Sequence, residues 1–213
     1  MPKPRYIVIE GPIGVGKTSL ARMLAKEFEG KLIVERPEQN PFLESFYNNP
    51  ARYAFQTQLF FLLVRFQQQQ ELIQLDLFAQ DTVSDYLFAK DRIFAYLNLE
   101  GEELALYERV YSVLEGRIAQ PDIVIYLQAN LEVLFDRIRR RGKAYERDIS
   151  EEYVGRLAEA YNEFFFYYSD TPLLVVNTSE IDFVNRPADF ADLVKEIHAT
   201  KKGTWHYIPL GSR

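Results

Sequence analysis

Gly11-Pro-Ile-Gly-Val-Gly-Lys-Thr18 satisfies G-x-x-x-x-G-K-[ST], the phosphate-binding P-loop. The flanking sequence fits. Tyr6-Ile-Val-Ile-Glu10 reads as a buried strand, and Ser19 to Phe28 reads as a helix. Glycines let the backbone wrap closely around a polyphosphate, with N–H groups and the following helix N-terminus aimed at the anion. Phosphate contacts are therefore expected from Gly11, Ile13, Gly14, Val15, Gly16, Lys17, Thr18 and Ser19. Lys17 would reach the β/γ-phosphates and the Thr18 hydroxyl would ligate Mg²⁺.

Outward from this loop, strand-like and helix-like segments alternate. Strands are expected at Lys31–Glu35, Asp81–Asp85, Asp122–Gln128 and Leu173–Asn177. Helices are expected at Arg52–Phe78, Phe88–Leu97, Glu102–Ile118, Leu131–Arg141, from Ser150 onward, and at Ala188–His198. Arg36 to Pro41 reads as a polar loop, and the tail after Lys201 as loosely held. Strands separated by helices predict an α/β fold: a parallel sheet of about five strands with helices on both faces, in one domain. Ligands then bind beyond the carboxyl ends of the strands, where Glu10, Glu35 and Asp85 cluster.

Bulk properties narrow the function. A net charge of −6 argues against a general nucleic-acid-binding surface. The absence of cysteine excludes disulfides, thiolate zinc sites and cysteine nucleophiles. With two histidines, His198 and His206, a histidine-based metal site is not expected. There is neither a membrane-length apolar run nor a signal-peptide core, so a cytoplasmic protein without membrane partners is the expectation.

The P-loop alone does not distinguish a switch, a motor and a kinase. The N-K-x-D motif of GTPase switches and the L-S-G-G-Q motif of transporter ATPases are both absent. The chain does carry Arg137-Ile-Arg-Arg-Arg-Gly-Lys143, in which Arg137 and Arg141 share a helix face. Closed as a lid over about 137–149, such a segment would exclude water from a γ-phosphate and stabilise charge during transfer. A solvated basic face at a helix C-terminus is the alternative.

Nearly the whole chain resembles the deoxyribonucleoside kinases, the family that includes the deoxycytidine, deoxyguanosine and insect multisubstrate enzymes. The resemblance rests on motifs in a fixed order: the P-loop; Glu35-Arg-Pro-Glu-Gln-Asn-Pro-Phe-Leu43; Tyr47 with Pro50 and Phe55-Gln56-Thr57; Asp91-Arg-Ile-Phe-Ala95; and Ile125-Tyr-Leu-Gln-Ala129 leading to Arg137, Arg141-Gly-Lys143 and Glu146. It implies ATP or another nucleoside triphosphate as donor, Mg²⁺ as cofactor, a deoxynucleoside as acceptor and a homodimer. The Asn40-Pro-Phe-Leu43 element is most similar to bacterial purine deoxynucleoside kinases, which points toward deoxyadenosine or deoxyguanosine.

The resemblance makes Glu35 the general base, and a carboxylate at a strand exit is suited to take the proton of a 5′-hydroxyl. Glu38 is the rival. Lys17, Arg137 and Arg141 are implied as the charges around the phosphoryl group. Gln56, with Leu59, Phe60 and Leu63 at helical spacing, is expected to be buried; the resemblance gives its amide to the nucleobase, with Phe55 stacking nearby. Tyr47 and Glu146 are implied to hold the sugar 3′-hydroxyl, and Asp91 joins the implied nucleoside contacts. One departure stands out. The family usually has an acidic–Arg–Ser triplet after the third strand, whereas this chain reads Val83-Ser84-Asp85-Tyr86-Leu87. Either Asp85 takes the acidic role, water-mediated on Mg²⁺, with an arginine supplied elsewhere, or the register shifts by one. Two other readings remain open: a thymidylate-type monophosphate kinase, which would need Arg36 or Arg52 for the acceptor's phosphate, and a non-catalytic nucleotide-binding module.

Overall fold

The computed structural model describes residues 5–74, 80–147 and 149–209. Among them the strands are β1 (Tyr6–Glu10), β2 (Lys31–Ile33), β3 (Thr82–Ser84), β4 (Ile123–Gln128), β5 (Leu173–Asn177) and β6 (Thr204–Tyr207). All pair in parallel, in the order β2-β3-β1-β4-β5-β6. The helices are α1 (Lys17–Glu27), α2 (Leu43–Asn48), α3 (Pro50–Gln74), α4 (Lys90–Asn98), α5 (Gly101–Glu115), α6 (Leu131–Arg141), α7 (Glu151–Tyr167) and α8 (Pro187–Ala199). The part of the expected long helix from 75 to Phe78 lies outside the described residues, as does position 148 of the expected lid.

A parallel strand covered on both faces is apolar at every position rather than alternating. β1 follows this rule: Ile7 and Ile9 face one layer, Tyr6 and Val8 the other. The first layer holds Leu20 and Leu24 of α1, Leu134 and Ile138 of α6, and Leu193 and Ile197 of α8. The second holds Leu157, Tyr161 and Phe165 of α7, with Ile93 of α4. Each such large apolar side chain stabilises the fold by about 1.5–3 kcal/mol relative to exposure. A third cluster packs α2, α3 and α5 together through Phe46, Leu62, Tyr107 and Tyr111, beyond the sheet edge. Strand order turns outward from β1, with β3 on one side and β4 on the other, which opens a crevice above its carboxyl end.

Helix ends follow their sequence signals. Asn130 caps α6 by accepting from the Val133 amide (2.9 Å), and Gly142 ends it in the left-handed conformation, φ 62°. Ser150 caps α7 by accepting from the Tyr153 amide (3.1 Å), with Glu151 and Glu152 in the first turn.

The tail departs from expectation. Thr204-Trp205-His206-Tyr207 forms β6, in register with Leu173 to Val176 of β5. The sheet thus has six strands among the described residues. The segment is mostly exposed, so no apolar pattern marks it; its β-favouring residues and a backbone ladder do the work, beginning with the Leu173 amide on the Gly203 carbonyl (2.9 Å). No helix among the described residues is long and apolar enough to cross a membrane.

Candidate active site

A cavity of about 1100 Å³ opens at the carboxyl ends of β1, β2 and β3. Residues 13–19 of the P-loop line one end. Gly14 is required there: a Cβ would lie 2.6 Å from the Leu134 carbonyl oxygen, and its φ is +87°. Gly11 corrects the expected phosphate set. It does not line the cavity; its amide donates to Glu10 Oε2 (2.8 Å), and a Cβ would lie 2.4 Å from the Leu127 oxygen. Gly11 lets the loop leave β1 against β4 instead.

Lys17 Nζ donates to the carbonyls of Gly11 (2.5 Å) and Pro12 (3.1 Å). Burial, reinforced by the nearby Lys90 charge, lowers its pKa to about 8. Thr18 donates its hydroxyl to Asp85 Oδ2 (2.5 Å), and Asp85 Oδ1 accepts from the Glu35 amide (2.8 Å). Burial raises the Asp85 pKa against these two bonds. One carboxylate therefore ties the exits of β2 and β3 to the P-loop. There is no register shift: Asp85 faces the loop, while Tyr86 is fully buried in the core.

Glu35 carries two cations. Arg65 donates through Nε (2.8 Å) and a second guanidinium nitrogen to Oε1, and Lys90 Nζ donates to Oε2 (2.7 Å). Burial pushes the Glu35 carboxyl up, but Arg65 and Lys90 outweigh it and hold the group well below the ordinary carboxylate range. Glu38 is an exposed residue of the cavity lining. Behind Arg65, its other guanidinium nitrogen is bound by fully buried Asp91. Asp91, expected among the nucleoside contacts, does not line the cavity and lies behind Arg65.

Gln56 also departs from expectation. It is exposed and absent from the cavity wall, as is half-buried Phe55, which packs into the third cluster. Leu63, assigned to the same buried face, is 49% exposed. The buried stripe of α3 runs instead through Ala54, Gln58, Leu62, Arg65, Gln69 and Leu72. Gln58, 2% exposed, is the amide that lines the cavity, beside Phe61 and Arg65. Leu59–Val64 is apolar at every position, so helical spacing fits more than one face of α3, and the face through Gln56 is not the buried one. Asn40 holds the preceding loop against α3 by donating to the Thr57 carbonyl (3.1 Å).

Tyr47 lines the cavity edge-on to Tyr153, with ring centroids 6.4 Å apart. Its pKa is pushed up, first by burial and then by Tyr153 and Glu146. Glu146 is 8% exposed and bound two-pronged by Arg141, Nε to Oε2 (3.1 Å) and a terminal nitrogen to Oε1 (2.5 Å). Arg137 donates to the Val15 carbonyl (3.1 Å) and to the Thr178 hydroxyl and carbonyl (3.1 and 3.0 Å), which fixes its guanidinium beside the P-loop.

Arg65, Lys90, Gln58 and the loop from Ile181 to Arg186, which closes the P-loop end, were not singled out in the sequence. For Arg65 a signal existed: a lone arginine in the apolar run Leu59-Phe-Phe-Leu-Leu-Val64 must find a buried partner.

A family model, deoxynucleoside kinase, matches residues 7–201. The deoxyguanosine kinase of Bacillus subtilis is 34% identical over 197 residues, covering 90% of this chain and 95% of that one. The deoxyadenosine kinase of Dictyostelium discoideum is 35% identical over 196 residues, covering 89% and 78%. A solved deoxyadenosine kinase from M. mycoides, described with the products dCMP and a flexible dCDP bound, superposes with a TM-score of 0.79 at 26% identity, covering 91% of this chain and 99% of that one. With its P-loop, its carboxylate-bearing strand exits and these matches over nearly its whole length, the chain belongs to the deoxynucleoside kinase family.

Proposed function

We propose that the protein transfers the γ-phosphoryl group of a nucleoside triphosphate, ATP in the first instance, to the 5′-hydroxyl of a purine deoxyribonucleoside. The observation that carries this reading is the Thr18–Asp85–Glu35 link, which sets an ionised carboxylate beside the P-loop in one cavity. The 5′-oxygen attacks the γ-phosphorus, the bond from that phosphorus to the β,γ-bridging oxygen breaks toward the diphosphate, and the hydroxyl proton passes to Glu35. The protein's part is positioning and charge neutralisation. Residues 13–19, with Lys17, cradle the phosphates, and Arg137 and Arg141 neutralise them from the lid over 137–149.

Gln58 and Arg65 are seven residues apart on α3, about 10 Å along the axis. Arg65 holds Glu35, so a sugar and a base span the distance from Glu35 to Gln58. Tyr47 and Glu146 take the sugar 3′-hydroxyl. The oxygens of Thr18 and Asp85 suit a hard cation such as Mg²⁺, which is commonly held by few protein groups plus phosphate and water. Bound there, Mg²⁺ would offset phosphate charge. The purine preference is supported by the deoxyguanosine and deoxyadenosine kinases among the relatives. A homodimer through α3 and α5 is supported by their exposed Leu63, Ile73, Leu106 and Val113.

The test is turnover of Mg²⁺-ATP with each of the four deoxynucleosides and with dTMP, beside Glu35→Gln. Expected are monophosphate from deoxyguanosine or deoxyadenosine and a loss of about 10²–10⁴-fold in kcat for the variant with nucleotide binding intact. Turnover of dTMP alone would overturn the assignment, as would tight ATP binding with no acceptor used.

A further inference from the structure

Tyr86, which follows Asp85, is fully buried in the second core layer, and Leu87 joins it there. Glu10 Oε1 clamps this stretch by accepting from the Leu87 amide (2.9 Å). The first cation the chain brings back to the cavity is therefore Lys90, at the start of α4. It is 4% exposed yet lines the cavity, with Nζ on Glu35 and 5.6 Å from the Phe94 ring centroid.

Lys90 is one of two cations on Glu35. Arg65 gives Oε1 two N–H donors and is braced from behind by Asp91, while Oε2 accepts from Lys90. One hydrogen bond to Oε2 is a small return for the desolvation of a second buried ammonium. Its other two N–H donors have no partner in Glu35. Lys17, Glu35 and Lys90 all line the one cavity, so both ammonium groups face the space that the phosphates would enter.

We propose that Lys90 is a catalytic residue of the phosphoryl transfer: its ammonium, which donates to Glu35, moves onto the transferring phosphoryl oxygens. It supplies there the charge that no side chain directly after Asp85 provides. The proposal rests on the kinase reading above. It adds no bond-making step, because Lys90 neutralises charge while the 5′-oxygen displaces the diphosphate and Glu35 takes the proton. A fixed cation at developing phosphoryl charge acts in the transition state more than on the bound substrates.

Three variants decide it: Lys90→Met, Lys90→Gln, which keeps a hydrogen-bond donor toward Glu35, and Lys90→Arg, which keeps the charge. Steady-state kinetics would be paired with calorimetric binding of the deoxynucleoside, of ADP, and of ADP with aluminium fluoride as a phosphoryl mimic. Expected are a kcat loss of about 10²–10³-fold for both neutral variants, nucleoside and ADP affinities within about threefold of the parent, selective loss of aluminium fluoride-dependent tightening, and recovery to within about tenfold by Lys90→Arg. Full activity in Lys90→Gln would overturn the proposal, since only a bond to Glu35 would then matter. So would a loss confined to nucleoside affinity. If Lys90→Met fails to fold, the Gln and Arg variants decide on the same readouts. Inactivity of the parent protein would instead refute the kinase reading itself.

Discussion

Arg141 grips Glu146 with two hydrogen bonds, Nε to Oε2 at 3.1 Å and a terminal nitrogen to Oε1 at 2.5 Å, at the edge of the cavity. The arginine proposed for the phosphate and the carboxylate proposed for the sugar thus occupy one another. A 3′-hydroxyl arriving at Glu146 competes for an oxygen that Arg141 holds. Glu146→Gln keeps the size of the side chain and removes its charge. A hydrogen bond to a charged group contributes about 1.5–3 kcal/mol, so discrimination between a 2′-deoxynucleoside and its 2′,3′-dideoxy analogue should fall by about tenfold or more. The ratio of kcat/KM values for the two substrates measures this. An unchanged ratio would remove Glu146 from the sugar site.

Gln58 and Gln56 are two residues apart and face opposite environments, one on the cavity wall and one in solvent. Gln58→Ala should raise the KM for the preferred deoxynucleoside by about 10–100-fold, the equivalent of hydrogen bonds lost in a buried site. Gln56→Ala should leave kinetics unchanged and alter stability by no more than about 0.5 kcal/mol. Substrate kinetics and thermal melts on the pair of variants would test both statements. A large effect at Gln56 would place the base on the other face of α3.

Much of this was legible in the sequence, for identifiable reasons. β1 and β5 are bounded by their apolar runs at Tyr6–Glu10 and Leu173–Asn177, where a two-sided core allows no polar interruption. Ser150 announces α7 because capping chemistry is local. The P-loop and Glu35 are legible because each lies next to a strand end. Gln58 was not, because the apolar run Leu59–Val64 that follows it carries no face preference, and which side is buried is set by α2 and α4 packing against it. Lys90 was hidden because its meaning depends on Glu35, 55 residues earlier. β6 was hidden because an exposed edge strand leaves no burial pattern.

Lys17 makes a prediction about protons. Its ammonium rests on two neutral carbonyls, is buried, and lies near the Lys90 charge, so its pKa is about 8 rather than the ordinary lysine value of about 10.4. A lysine depressed in the folded state is penalised fully below its folded pKa. Between about pH 8 and 10 the unfolded chain holds the proton that the folded protein has lost, so this group's contribution to stability rises with pH. A bound polyphosphate reverses the balance by stabilising the ammonium. At pH 8.5 a phosphoryl group has already passed its second pKa of about 6, so a proton taken up on donor binding is not the nucleotide's own. Calorimetric titration with ADP at pH 8.5, in two buffers of different ionisation enthalpy, should give net uptake of roughly three-quarters of a proton. At pH 6.5 the Lys17 contribution should vanish, and Lys17→Met should abolish the uptake at pH 8.5. Uptake that is absent at pH 8.5, or that persists in Lys17→Met, would mean that Lys17 is already charged before ADP is added, or that another group takes up the proton, and that Lys17 does not report phosphate binding.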